Sequence, residues 1–290
     1  MQRHELRIRL PTSEVTLVVD GKYLVYRSQY GGNSANLEYG GKLTGLYYMF
    51  FNTLRQLTYK FNPANMVIMW DGGRNVRKDE YPTYKERNKN IKPEQLELMQ
   101  RIKHEYPCIV SMCSRMGFAG YSLDGYEADD LIALFCQRFN YINKIIITRD
   151  EDMYQCLDST TSIYSPDDKQ RKNLEWFVKT YEINPNQWGI YKSLAGCNSD
   201  NVSGIPGVGE KTALEILKGT VNQKAMDKLE THKELWNLCK RLTVLPHPNL
   251  KNHRIKFKQT RININQMAME FQKMGMRSLL EKLSDFKSLT

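Results

Sequence analysis

The sequence is poor in the residues that build structural zinc sites and disulfide frameworks. It has six cysteines and five histidines among 290 residues. The cysteines form no CxxC pair, and no histidine stands at zinc-ligand spacing from them. The pattern argues against structural zinc and against a disulfide-stabilised secreted domain. A reducing cytoplasm is therefore the compartment that we expect.

Long apolar runs are absent as well. No segment approaches the roughly 18 consecutive apolar residues of a membrane span. Residues 1–14 mix arginine with glutamate and lack the apolar core of a secretory signal, so we expect a loosely ordered tail there. The formal net charge of +10 favours a polyanionic partner. Because no amphipathic basic helix is evident, nucleic acid is a better candidate partner than a membrane surface.

Strand-like and helix-like patterns alternate along the first part of the chain. Short apolar runs rich in β-branched residues indicate buried parallel strands at residues 15–21, 66–72 and 144–150, and residues 118–123 are a fourth candidate. Helical patterns cover residues 43–61, 93–116 and 126–141. This alternation predicts an α/β fold with a mainly parallel central sheet. After about residue 170 helical patterns dominate, so we predict an α/β domain over 15–175 and a helical domain over 176–290.

Acidic residues follow the predicted strands. Asp20, Asp71 and Asp150 each end a strand-like run, and the carboxyl ends of parallel strands meet at one edge of a sheet. Further acids stand nearby in the sequence at Glu127, Asp129, Asp130, Asp152 and Asp200. Acids that open a helix can be ordinary helix-start residues, which is the alternative for the group at 127–130.

A dense set of carboxylates repels itself unless a positive charge neutralises it. Oxygen donors without histidine or cysteine suit Mg²⁺ or Mn²⁺. Two such ions about 4 Å apart are a common device for phosphodiester chemistry. The pattern therefore predicts a divalent metal site, with two ions, at the edge of the sheet.

A basic segment at residues 74–92 follows Asp71 directly. It carries seven basic and three acidic residues, with Tyr84 next to Lys85. Such runs are ordinarily solvated surface, but this one should lie over the acidic site. An aromatic ring beside a cation is how single-stranded nucleic acid is usually held. We therefore predict that this segment contacts substrate.

A glycine-rich turn, GIPGVGEKTA at residues 204–213, leads into a helix. Its backbone N–H groups can hold a phosphate at the helix N-terminus, although it lacks the GxxxxGK(S/T) spacing of a nucleotide-binding loop. A tight helical connection without a ligand is the alternative. Because Lys211 and Thr212 follow at once, we predict that the turn binds the phosphate backbone through Gly207, Gly209, Lys211 and Thr212.

Taken in order, these motifs resemble the 5′-nuclease superfamily, which includes bacteriophage 5′–3′ exonucleases, the 5′-nuclease domain of bacterial DNA polymerases and the flap endonucleases. The motifs are VVDG at 18–21, WDGG at 70–73, YPTYKER at 81–87, GYEADD at 125–130, TRDEDMYQ at 148–155 and SDNVSGIPGVGEKTA at 199–213. The resemblance implies a PIN-like nuclease domain with an arch over its site at 74–92 and a helix–three-turn–helix at 204–217.

The resemblance also assigns roles. Lys85 and Arg87 correspond to catalytic residues of the arch that also contact DNA, together with Tyr84. Asp130 is a candidate for both metal groups. The first metal would be held by Asp20, Asp71, Glu127 and Asp129, and the second by Asp130, Asp150, Asp152 and Asp200. A monovalent cation such as K⁺ at the helix–three-turn–helix is a further expectation.

One position departs from the family pattern. The family commonly has an aspartate three residues before the SDN aspartate, where this chain has Cys197. A thiol is a poor ligand for Mg²⁺. The departure bears on the second metal, because it removes one carboxylate from that group.

The predicted function is a structure-specific 5′-nuclease, a 5′–3′ exonuclease or flap endonuclease of DNA replication or repair. We expect a free-standing monomer in a bacterial or bacteriophage-infected cell, acting on DNA with 5′ ends or flaps, and RNA–DNA hybrids are a further candidate substrate. Two alternatives stay open: a PIN-type ribonuclease, which the glycine turn disfavours, and a catalytically weakened DNA-binding protein, for which Cys197 is the support.

Overall fold

The computed structural model describes residues 14–30, 37–86, 92–220, 223–250 and 252–290. These residues form eight strands: β1 (Val15–Asp20), β2 (Glu38–Tyr39), β3 (Lys42–Leu43), β4 (Asn65–Met69), β5 (Ala119–Tyr121), β6 (Asn143–Ile147), β7 (Thr161–Tyr164) and β8 (Arg171–Lys172). The predicted tail at 1–14 lies almost entirely outside the described residues.

The same residues form twelve α-helices. Those of the first half are α1 (Gly21–Gln29), α2 (Gly45–Phe61), α3 (Val76–Glu80), α4 (Pro93–Met116) and α5 (Ala128–Arg138). Those of the second half are α6 (Leu174–Tyr181), α7 (Trp188–Ala195), α8 (Glu210–Lys218), α9 (Gln223–Thr231), α10 (Lys233–Thr243), α11 (Ile264–Lys273) and α12 (Arg277–Leu280). Short 3₁₀ turns cover 151–156 and 198–200, and another ends the chain at 283–289.

The central sheet has the strand order β5-β4-β1-β6-β7-β8. Every neighbouring pair is parallel except β7 and β8. The predicted α/β fold with a mainly parallel sheet is confirmed. All four candidate strands are present, and each is shorter than predicted. The polar strands β7 and β8 and the helix α1 were not predicted.

Side chains of the central strands alternate between two cores. In β1, Leu17 and Val19 pack against the side of the sheet that is covered by α1, α2 and α4. Val18 points to the other side, where α5, α7 and α8 lie. The neighbouring strands β4 and β6 alternate in the same way. Burial on both sides explains why these strands are continuous apolar runs.

The C-terminal helices return to the first side of the sheet. Phe271, Leu279 and Phe286 are buried in the core that contains α2 and α4. Arg55 on α2 pairs with Asp285 at 2.5 Å, and Arg115 on α4 pairs with Glu270 at 2.9 Å. The predicted helical domain over 176–290 is therefore corrected at its end, because the last helices share the core of the α/β part.

The glycines of two motifs are required by close packing. A Cβ atom at Gly21 would lie 2.2 Å from the ring of Trp70. A Cβ atom at Gly72 would lie 2.0 Å from the carbonyl oxygen of Leu123. These glycines let neighbouring parts of the chain approach closely just beyond β1 and β4, next to Asp20 and Asp71.

No described helix combines the length and the apolar character that crossing a bilayer requires.

Candidate active site

An acidic cleft of about 440 Å³ opens at the carboxyl ends of the parallel strands. It lies where β1 has β4 on one side and β6 on the other, the position at which open α/β sheets bind ligands. Six carboxylates line it: Asp20, Asp71, Glu127, Asp129, Asp150 and Asp200. The fold thus brings together most of the predicted metal-binding residues from five separate places in the chain.

Asp20 ends β1 and caps α1. Its carboxylate accepts the N–H of Tyr23 at 2.9 Å and the hydroxyl of Thr148 at 3.0 Å. Burial raises the pKa of Asp20 to about 7, with a further contribution from the neighbouring charges of Asp71 and Asp150. The carboxylate is therefore held rigidly in a place where its negative charge is poorly stabilised by the protein alone.

Asp71 lies two residues beyond β4. One carboxylate oxygen accepts the N–H of Ala128 at 3.0 Å, which fixes it to the start of α5. The other oxygen accepts a hydrogen bond from the ammonium of Lys22. Lys22 also lines the cleft and was not predicted. Its position in the first turn after Asp20 is the pattern that could have identified it.

The first turn of α5 supplies Glu127 and Asp129. Burial would raise the pKa of Glu127, but the ammonium of Lys85, at 2.8 Å, holds that pKa below its ordinary value. Burial and the charge of Asp150 raise the pKa of Asp129 well above its usual range. The negative charge of Glu127 is thus balanced by a lysine, whereas that of Asp129 has no comparable positive partner among the described residues.

A second group of acids lies beside the first. Asp150 accepts the N–H of Asp152 at 2.8 Å. Oxygen atoms of Asp152 and Asp200 and the sulfur of Cys197 all lie within 4.8 Å of one another. Burial raises the pKa of Asp200 to about 6. The thiol of Cys197 therefore lies beside Asp152 and Asp200.

Asp130 does not join these acids. It is fully buried, and its two oxygens accept hydrogen bonds from the guanidinium of Arg77 at 2.6 and 2.7 Å. It also accepts the N–H of His247 at 2.8 Å. The prediction that Asp130 is a metal ligand is corrected, because both of its oxygens are occupied by donors at the junction of α3, α5 and the end of α10.

In the basic segment, residues 81–85 form a turn that is hydrogen-bonded to the loop at residues 199–201. Lys85 has a left-handed backbone conformation, with φ 51°, and its N–H donates to the carbonyl of Asp200 at 2.9 Å. Asn201 donates to the carbonyl of Thr83 at 3.0 Å. These contacts aim the Lys85 ammonium into the cleft, 2.8 Å from Glu127 and 3.9 Å from Asp200. Arg87 lies outside the described residues.

Tyr84 cannot stack on a base in this arrangement. Its ring is 2% exposed and packs with Cys197, Val202 and Leu242. Its hydroxyl donates to Glu127 at 3.1 Å. The predicted DNA contact of Tyr84 is corrected, because stacking on a base requires an open ring face. The hydroxyl of this residue instead holds Glu127 by a hydrogen bond.

The glycine turn presents an exposed helix start. Gly207 has φ 73°, and its carbonyl accepts a hydrogen bond from Lys228 at 2.8 Å. Gly209 caps α8, and the space around its α-carbon is open. The side chain of Lys211 is 90% exposed, and Thr212 is half-buried. The first N–H groups of α8 are therefore accessible to an anion.

The donor set fits divalent cations. The clustered carboxylates of Asp20, Asp71, Glu127 and Asp129 are hard oxygen ligands. The raised pKa values of Asp20 and Asp129 indicate negative charge that the described residues do not neutralise. In the second group the ammonium of Lys192 lies 2.5 Å from Asp152 and supplies part of the missing positive charge. Lys192 was not predicted, since only the packing of α7 brings it to the acids.

The comparisons with known proteins agree with this geometry. Residues 15–182 match the family model described as 5′–3′ exonuclease, N-terminal resolvase-like domain. A 5′–3′ exonuclease of Mycoplasmopsis pulmonis is 32% identical over 231 residues, which are 78% of this chain and 72% of that protein. One from Aquifex aeolicus is 28% identical over 281 residues, 92% of this chain and 94% of that protein.

Among solved structures, the D15 flap endonuclease of bacteriophage T5, in a pseudo-enzyme–product complex with DNA and metal ions, has a TM-score of 0.68 at 18% identity. The match covers 94% of this chain and 100% of that one. That likeness establishes the shared fold, while the family match over more than half of the chain establishes the relationship. The chain belongs to the 5′–3′ exonuclease family.

Proposed function

We propose that this protein is a structure-specific 5′-nuclease that hydrolyses phosphodiester bonds with two divalent metal ions. The observation that carries the proposal is the convergence of six carboxylates and the Lys85 ammonium in one cleft. Neither a structural core nor a simple DNA-binding surface needs that concentration of negative charge, which would repel a phosphate backbone in the absence of cations.

The proposed ligands fall into two groups. Asp20, Asp71, Glu127 and Asp129 would hold the first ion, and Asp150, Asp152 and Asp200 the second. Mg²⁺ or Mn²⁺, when bound, would lower the pKa of an attacking water and stabilise charge on the phosphate oxygens. Lys85 would stabilise the charge that develops on the scissile phosphate, because its ammonium lies among the ligands. Arg87 is proposed for the same role from the family motif alone.

Substrate contact would extend from the cleft to the glycine turn. Gly207, Gly209, Lys211 and Thr212 would hold a duplex backbone at the start of α8, and a monovalent cation such as K⁺ at that turn is part of the proposal. The relative from bacteriophage T5 was crystallised with DNA. We propose DNA with 5′ ends or flaps as the substrate of this chain, with RNA–DNA hybrids as a second one, and a monomeric cytoplasmic enzyme.

The test is digestion of 5′-labelled flap, nicked duplex, single-stranded and RNA–DNA hybrid substrates with Mg²⁺, with Mn²⁺ and with chelator. We expect metal-dependent cleavage near the junction of the flap substrate. Cleavage restricted to single-stranded RNA would favour a PIN-type ribonuclease instead. Tight binding of flap DNA without cleavage in either metal would favour a DNA-binding protein with a weakened site.

A further inference from the structure

Arg77 and Asp130 form a buried ion pair that the proposed mechanism does not use. Arg77 is 1% exposed and Asp130 is 0% exposed. The two residues are 53 positions apart, one on α3 at the base of the arch segment and the other in the first turn of α5. Their contact is bidentate, the geometry in which a guanidinium orients a carboxylate most firmly.

The pair connects three parts of the chain. The Arg77 Nε atom donates to the carbonyl of Leu242 at 3.0 Å, near the end of α10. Asp130 accepts the N–H of His247, in the segment after α10. It also accepts the N–H of Glu127 at 3.3 Å. The ion pair therefore joins the arch base and the end of α10 to the turn that begins α5.

That turn carries Glu127 and Asp129, two of the proposed metal ligands. Glu127 and Asp130 form a reciprocal capping box, in which each side chain accepts the backbone N–H of the other. Glu127 also has a carboxylate oxygen 3.8 Å from the Arg77 guanidinium. If the charge of Asp130 were removed, Glu127 would be the nearest carboxylate that could pair with this buried guanidinium, and pairing would draw it away from the cleft.

We propose that Arg77 and Asp130 are positioning residues, which hold the first turn of α5 so that Glu127 and Asp129 can bind a divalent ion. The inference rests on the proposed function, because it needs these two residues to be ligands. It assigns Asp130 a role at the site without direct contact with metal. Groups that orient metal ligands typically change metal affinity by about 10- to 100-fold when they are removed.

The experiment compares Asp130→Asn and Arg77→Lys with the matched control Arg55→Lys. Arg55 also forms a long-range, partly buried pair, with Asp285 at 2.5 Å, but it joins α2 to the C-terminal segment and does not line the cleft. Mn²⁺ binding to each complete protein is measured by calorimetry without DNA, and flap cleavage is measured against Mn²⁺ concentration.

We expect the two site variants to bind Mn²⁺ about 10- to 100-fold more weakly and to regain flap cleavage at high Mn²⁺. The control should bind Mn²⁺ as the wild type does, even if it unfolds at a lower temperature. Site variants whose Mn²⁺ affinity equals that of the control would overturn the positioning role.

A double variant keeps the test decisive if Asp130→Asn does not fold. Replacing both partners by apolar residues, Arg77→Met with Asp130→Leu, removes the buried charges together. Weak Mn²⁺ binding by a folded double variant supports positioning, whereas wild-type binding shows that the pair only stabilises the fold. If the wild type itself neither binds Mn²⁺ nor cleaves a flap, it is the proposed function that fails.

Discussion

The ammonium of Lys192 lies 2.5 Å from a carboxylate oxygen of Asp152, within the second group of acids. Burial opposes the charged form, but the carboxylate of Asp152 raises the pKa of Lys192 above its ordinary value. The same group contains the thiol of Cys197 in the place where the family commonly has a carboxylate. The second group thus has one negative charge fewer than the family pattern and an ammonium already beside it.

We predict from this arrangement that Mg²⁺ binds the second group weakly. Mn²⁺ accepts softer ligands and should support flap cleavage at lower concentration than Mg²⁺ does. Cys197→Asp should move the Mg²⁺ dependence of cleavage to lower concentration, because it adds a hard ligand and a charge. The control is Cys108→Asp, at an exposed position on α4. Coincident metal titrations of Cys197→Asp and the wild type would show that position 197 does not contribute to metal binding.

Removal of a first-group carboxylate should abolish cleavage and leave DNA binding largely intact. Asp129→Ala and Asp20→Ala each remove a hard ligand from the cleft. Neither side chain carries positive charge for the phosphate backbone, so affinity for flap DNA should change little. Cleavage and gel-shift assays measure the two effects separately, with the exposed residue change Glu281→Gln as control. Wild-type cleavage by Asp129→Ala would contradict the ligand assignment.

Lys85→Ala should slow cleavage far more than it weakens binding. The ammonium lies among the proposed ligands and stabilises charge that develops only in the transition state. We expect a loss of roughly 100-fold or more in the single-turnover rate on a flap substrate, with a small change in Kd. The exposed Lys282→Ala serves as control. An unchanged single-turnover rate would mean that Lys85 is merely surface charge.

Lys211→Ala should weaken duplex binding equally for every sequence. Its side chain is 90% exposed at the start of α8, where it can reach a phosphate but not a base in a fixed geometry. The slope of log affinity against log salt should fall by about one. Binding is measured by fluorescence anisotropy over a salt series for two unrelated duplexes. A salt slope that stays at the wild-type value would contradict the proposal that Lys211 contacts the phosphate backbone.

The stability of the metal-free protein should fall as pH rises across the acidic range. Burial raises the pKa of Asp20 to about 7 and that of Asp200 to about 6. At these two carboxyl groups the folded chain therefore holds more protons than the unfolded chain from about pH 4 to about pH 7, so their deprotonation in that window opposes folding.

A divalent cation should reverse that loss. Mg²⁺ should raise Tm little at about pH 5 and clearly more at about pH 8, because only the ionised carboxylates bind it. Thermal unfolding with Mg²⁺ and with chelator measures the difference, and Asp20→Asn should reduce it. An equal gain in Tm at both pH values would contradict this coupling between protonation and metal binding.

Much of the fold followed from local pattern. The strands β1, β4 and β6 and the helix α4 were predictable because burial on both sides of a sheet demands apolar runs and a long helix needs a regular apolar face. The two strands at the β8 edge were not predictable, since β7 is short and polar and β8 has two residues that pair only because β7 is already in place.

The site was predictable to the level of residue type and place in the sequence. The order of the motifs identified Asp20, Asp71, Glu127, Asp129, Asp150 and Asp200, and the fold places all six in the cleft. Asp130 and Tyr84 stand inside the same motifs but face other partners. A motif specifies which residues are adjacent in the chain, whereas the direction of each side chain depends on what packs behind it.

The sequence by itself determined the family, the α/β class and the acidic cluster, because those depend on local periodicity and on ordered motifs that survive without long-range information. Only the tertiary structure decided which acids face the cleft and which lysine or arginine neutralises the others. Lys192 meets Asp152 and Arg77 meets Asp130 across 40 and 53 residues of chain. Such pairings are selected by the packing of whole helices, since a buried charge needs a partner that only the completed fold can supply.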